Sequence, residues 1–162
     1  AMVSLGMLTL GLGGAQGVHA QNTNVPGCGT FVVYAEPDVI EFVDHGDEGL
    51  SAGDRRLGRY YFVDEAGNRV GTLHFVTTVL PPDEDGNLVL HQTSMNLFDN
   101  GAIAVTANYM LPDPTHTGTS ASIEMVEVIT GGTGDFEHAT GSTSLTTLPD
   151  GRFEKTFNVR CP

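Results

Sequence analysis

The sequence predicts an all-β protein, an eight-stranded antiparallel up-and-down barrel, and three observations carry that expectation. Short runs of β-branched, aromatic and aliphatic residues recur along the chain at close spacing. Gly-, Pro-, Asn- and Asp-rich turn signals separate them, and no stretch of useful length has helical periodicity. Closure removes the exposed edges that an open sheet would leave, so a barrel is favoured and a β-sandwich is the alternative.

In order, the expected strands are Phe31–Val43, interrupted near Pro37, then Arg56–Val63, Val70–Leu80, Leu88–Phe98 and Ala102–Leu111. Ser120–Ile129, Ala139–Thr147 and Arg152–Arg160 follow. The connections read DEAGN, PPDEDGN, DNGA and LPDG. Asn100 and Gly101 suit a two-residue type I′ hairpin, whose central residues need positive φ. Pro149, Asp150 and Gly151 suit a type I turn closed by a glycine bulge.

The 162 residues fit one domain, expected over 21–162 after a leader at 1–20. That leader, AMVSLGMLTLGLGGAQGVHA, is apolar and ends on the small-residue pattern of Val18, His19 and Ala20, as a secretory signal does. A secreted or extracytoplasmic location is therefore expected. Five glycines interrupt the leader, which argues against a membrane-spanning helix. Net charge is −13 with only 7 Lys plus Arg, so nucleic acid and anionic membranes are poor partners. Cys28 and Cys161 bracket the mature domain, 133 residues apart. In a secreted chain an even cysteine count argues for a disulfide, here one joining the first strand to the last. No paired CxxC or CxH spacing suggests a metal, and no cofactor motif is evident.

The segment VITGGTGDFEHATG, Val128–Gly141, resembles the GGTGxFxxAxG signature shared by the allene oxide cyclase and dirigent families. GDRRLGRYYFVDEAGNRVGT, GAIAVTANY and the closing FEKTFNV are similar to further stretches of those families, and the likeness runs from about Gly53 to Arg160. Bacterial relatives of that barrel include spirotetronate cyclases, which catalyse intramolecular Diels–Alder reactions without a cofactor and carry a turn like Asp64–Gly71. The resemblance implies a cofactor-independent cyclase or isomerase in a homo-oligomer, dimer or trimer. A phosphate-loop reading of GGTG needs a following helix and a Gly-Lys-Ser/Thr. Neither is present, so the glycines are assigned to a sharp strand connection or a bulge.

An eight-stranded barrel encloses side chains or one small ligand, with alternate residues pointing inward. In the last strand Phe153, Phe157 and Val159 share a face with Lys155; in the sixth, Ile123, Met125 and Ile129 share one with Glu127. A charge on an apolar stripe costs free energy unless it is paired or used, so Glu127 and Lys155 are expected to pair in the lumen, flank a substrate, or point outward where the register slips at a bulge. The run IEFVD resembles the first-strand segment of allene oxide cyclases that carries a catalytic glutamate, which implies that role for Glu41; the residues themselves equally allow an outward, solvated Glu41 beside inward Ile40 and Phe42. Val43 stands where that family has a polar partner. Tyr109 shares a face with Ile103, Val105 and Leu111 and completes the catalytic candidates; Gln92, Asn96, Phe98, Phe75, Met125, Phe153 and Phe157 are the substrate-binding candidates. One of Tyr60 and Tyr61 faces inward. His74 and His91 fall on the outer face, and His45 lies in the acidic loop DHGDE.

The function expected is cyclisation or isomerisation of a linear hydrophobic substrate, a polyketide, polyene or oxygenated fatty-acid-like molecule, folded inside the barrel. The alternative is a secreted dirigent-like or lipocalin-like protein that binds a small hydrophobic molecule without turnover. A third possibility is a structural barrel filled by its own side chains.

Overall fold

The computed structural model describes residues 26–46, 49–111 and 124–162; the leader at 1–20 and the start of the expected sixth strand, Ile123 included, lie outside them. Among the described residues there is no helix. Eight strands, β1 (Gly29–Val43), β2 (Arg55–Val63), β3 (Arg69–Leu80), β4 (Leu88–Phe98), β5 (Gly101–Leu111), β6 (Glu124–Gly134), β7 (Thr140–Thr147) and β8 (Phe153–Arg160), pair in chain order into a closed antiparallel barrel. The β-sandwich alternative is thereby set aside. Strand alternation does the sorting: along β4, Leu88, Leu90, Gln92, Ser94, Asn96 and Phe98 are buried while the residues between them are not.

Three connections share one design. In Asp64–Asn68, Asp83–Asn87 and Leu148–Arg152, the first residue's carbonyl accepts from a glycine amide three positions on, and its own amide donates to the residue after that glycine. Gly67, Gly86 and Gly151 hold φ of 83°, 82° and 85°, the left-handed conformation that closes a type I turn with a bulge. The expected hairpin at Asn100 and Gly101 differs in register. Phe98 pairs with Gly101, so Asp99 and Asn100 make the turn and neither has positive φ. Gly101 is needed for another reason: a Cβ there would lie 2.1 Å from the Thr133 carbonyl on β6. The one-residue displacement on each strand leaves the facing unchanged: Asn96 now opposes Ile103 rather than Val105, and still lies on the same side as both.

One end of the barrel is plugged. Phe31, Phe62, Phe98, Phe136 and Phe157 fill it with Ile103, Ile129 and Val159, with Phe31 and Phe157 stacked at 4.6 Å and Phe62 and Phe98 at 5.7 Å. The GGTG segment builds this end. It is the last part of β6 rather than a connection between strands, and a bulge at Thr130 interrupts its pairing with β5. Gly132 lets the strand run against the following turn, since a Cβ there would sit 2.3 Å from the Phe136 carbonyl. Beside the plug the Cys28–Cys161 disulfide closes the seam where β1 meets β8.

Replacing both cysteines with serine is expected to lower unfolding free energy by up to about 4–5 kcal/mol, the chain-entropy value for so long a loop, as read by denaturant titration. Gly132→Ala is expected to cost about 1–3 kcal/mol in the same titration, because backbone rather than a movable side chain fills the space its methyl needs.

Candidate active site

The open end collects the β1–β2, β3–β4 and β7–β8 connections, and the inward residues behind it form the site. Arg56, Thr77, Gln92 and Ala107 are consecutive cross-strand neighbours on β2 to β5. On the far wall Met125, Leu145 and Lys155 form one rung, and Glu127, Thr143 and Phe157 form the next rung toward the plug.

Two small cavities open among these residues. One, about 50 Å³, touches Tyr60, Phe75, Gln92, Met125, Leu145 and Phe153; the other, about 220 Å³, touches Phe42, Leu50, Thr77, Val79 and Leu90. Arg56 and Tyr109 line both. Beneath them lies a continuous polar network. The Thr77 hydroxyl donates to Gln92 Oε1 at 2.9 Å, and the Gln92 amide donates to Ser94 Oγ at 3.3 Å and to Glu127 Oε1 at 3.2 Å. Thr143 Oγ1 donates to Glu127 Oε2 at 2.5 Å, and Lys155 Nζ meets that same oxygen at 2.5 Å. Glu127 and Lys155 are both fully buried.

Burial sets the electrostatics. It pulls the Lys155 ammonium below the ordinary lysine range, and the adjacent Glu127 carboxylate opposes that pull. The Tyr109 phenol is pushed above its usual 10.0 mainly by burial, against its hydrogen bond with Thr77 and the charge of Arg56; Tyr60 is raised for the same reason. Both phenols are therefore protonated donors at neutral pH. Among the described residues no group of three or more His, Cys, Asp or Glu side chains could hold a metal ion.

The sequence candidates separate into three places. Tyr109, Gln92, Phe75, Met125 and Phe153 come together on the cavity walls, with Glu127 and Lys155 paired underneath. Asn96, Phe98 and Phe157 do not join them. Phe98 and Phe157 are part of the aromatic plug, and Asn96 is fully buried with its amide donating to the Ile103 carbonyl at 3.0 Å. Glu41 lies outside the lumen, exposed and opposite Leu57. The cause is a bulge at Asp38: Val33 and Ala35 point inward before it, and beyond it the facing switches, so Phe42 reaches the cavity and Glu41 turns away. Of the adjacent tyrosines, Tyr60 faces in, while Tyr61 lies under Arg69 on the outer surface. His74 is exposed, and His91 bonds Asn108 on the outer face. His45 gives its backbone amide to Asp54 at 2.6 Å. Arg56, Thr77, Ser94 and Thr143 were missed. Ser94, between Gln92 and Asn96 on one face, was the most readable of them, and Arg56 follows once Tyr60 is known to face inward.

Fold and site together define a closed barrel, plugged at one end and with a polar floor under apolar cavities at the other. No protein-family model matches this sequence, and no curated protein matches it either. Solved structures do. The barrel is similar to a pyocyanin demethylase at 20% identity and a TM-score of 0.64, covering 81% of this chain and 99% of that one. It is similar to the Diels-Alderase AbmU from Streptomyces koyangensis at 18% identity and a TM-score of 0.61, covering 81% of this chain and 63% of that one. A nonspecific heme-binding cyclase that catalyses (4 + 2) cycloaddition during neoabyssomicin biosynthesis matches at 18% identity and a TM-score of 0.62, covering 81% of this chain and 66% of that one. This chain thus spans just under two thirds of the length of the last two. The shared property is the barrel fold; the allene oxide cyclase and dirigent likeness rests on the sequence motifs.

Lys155→Met alone is expected to destabilise the barrel by about 3–5 kcal/mol, because it strands a buried carboxylate. Adding Glu127→Gln should recover most of that loss in a double-mutant cycle by chemical denaturation. Additive losses would show that the two groups do not interact.

Proposed function

We propose that the protein is a cofactor-independent cyclase that folds a linear, mostly apolar, carbonyl-bearing substrate in the mouth of the barrel. The observation that carries this reading is Tyr109, a protonated phenol lining both cavities and braced from behind by Thr77. Apolar walls of Phe75, Leu73, Met125, Leu145 and Phe153 favour a coiled over an extended chain. Holding both reacting ends near contact distance removes most of the entropy that ring closure otherwise costs, up to about 7–11 kcal/mol of barrier. A phenol hydrogen bond to a carbonyl conjugated with the accepting double bond withdraws electron density and lowers the barrier further. In a cycloaddition the substrate's own π electrons form both new bonds, so no electron carrier or proton acceptor is required. Glu127 and Lys155 serve as positioning residues: through Gln92 and Thr77 they fix the rung on which Tyr109 rests.

A second reading, ligand binding without turnover, is favoured by one feature. The Thr77, Gln92, Ser94, Glu127 and Lys155 groups bond to one another beneath the cavities, as suits a floor that is not used chemically.

The two separate on a linear triene carrying a conjugated terminal enone, followed by chromatography of the bicyclic product. Tyr109→Phe is expected to lower the rate by about 10²–10³, the effect of removing one donor aimed at a developing oxyanion, with the fold unchanged by circular dichroism. The protonated phenol is the active form and its pKa is raised. Activity should therefore persist through pH 10.0, the ordinary tyrosine value, and fall only above it. Tight binding of the triene without product would establish the second reading.

A further inference from the structure

The chain has 20 acidic residues against 7 Lys plus Arg, yet among the described residues no Asp or Glu lines either mouth cavity. Among the described lining residues the single formal charge is the guanidinium of Arg56, which belongs to both walls. Three other arginines are used locally: Arg59 pairs with Asp38, Arg152 in the turn before β8 pairs with Asp150 and Glu36, and Arg69 stacks on Tyr61. Among the described residues Arg56 has no carboxylate partner. Its guanidinium lies 5.8 Å from the Phe75 ring centroid, within cation–π range, so the cavity wall itself holds the charge in place. Its charge also acts on the phenols of both Tyr60 and Tyr109.

We infer that the ligand is an amphiphile with an ionised oxygen acid, a carboxylate or an enolate, seated on Arg56 with its apolar chain running between Phe75, Met125 and Phe153. This rests on the reading of the mouth cavities as the substrate site and adds the chemistry of one end of the substrate. A planar guanidinium offers paired donors to two acid oxygens, and protonated Tyr60 and Tyr109 add neutral donors beside it.

Decanoate and decanol, equal in chain length, isolate the head group. In calorimetric titrations at neutral pH decanoate should bind at least about tenfold more tightly than decanol, as a charge-assisted hydrogen bond gives. Arg56→Gln should erase that difference while leaving decanol affinity unchanged, and Arg56→Lys should keep part of it. Arg56 is solvent-exposed, so these variants are expected to retain the barrel, which circular dichroism verifies. Equal affinity of the two probes in the unaltered protein, or a preference that survives Arg56→Gln, overturns the acidic head group and leaves the apolar site standing. Binding of neither probe overturns both this inference and the function proposed above.

Discussion

Pairing of the first strand with the last is the constraint on which the rest of the molecule depends. Gly29 to Ala35 run antiparallel to Phe153 to Val159, and this seam turns a meander into an enclosed space. Without it Lys155 would stand at an unpaired edge, in water, and its contact with Glu127 would be a surface ion pair of little energetic consequence. With it, both charges lie in a region from which solvent is removed, and each becomes costly without the other. The disulfide sits at the plugged end of the same seam, so it stabilises the closure rather than the mouth.

Plug and mouth divide the lumen by side-chain type. Five phenylalanines make one end a packed core, which carries stability and leaves no room for ligand. Toward the mouth, Thr77, Gln92, Ser94 and Thr143 enter the inward rows. Each of these four bonds to another of them or to Glu127, so the polar layer is a satisfied floor rather than a set of orphaned groups. The floor separates the packed aromatic plug from the cavities at the mouth.

The fold was legible because inward facing has period two and the hairpin turns announce themselves. The expected and observed ends of Leu88–Phe98 coincide, and an apolar stripe interrupted by one charge correctly marked both Glu127 and Lys155 as lumen residues. Glu41 was misplaced because a single extra residue at Asp38 inverts the facing of everything after it, and no composition signal reports such a bulge. Asn96, Phe98 and Phe157 were assigned the right face but the wrong depth. Periodicity states which way a side chain points, whereas depth along the axis depends on strand stagger and on Phe136, which enters the plug from a turn. Arg56 escaped notice for a related reason: the choice between Tyr60 and Tyr61, and with it the facing of all of β2, is not decided by their own chemistry.

Barrels of this fold serve both a demethylase and cycloaddition enzymes at identities of 18–20% to this chain, so the scaffold alone does not specify a reaction. What such a scaffold supplies is a rigid circular wall on which every second residue faces a common axis, allowing donors on several strands to converge on one bound atom. Here Arg56 on β2, Tyr60 four residues along the same strand, and Tyr109 on β5 all border one small space, although β5 is three strands away. An open sheet would hold β2 and β5 well apart; closure brings them face to face. Convergence of a cation and two protonated phenols on an apolar cavity is therefore a product of the barrel's curvature. The same curvature would enclose the proposed substrate, so under that reading recognition of its oxygen end and coiling of its chain share one geometric cause.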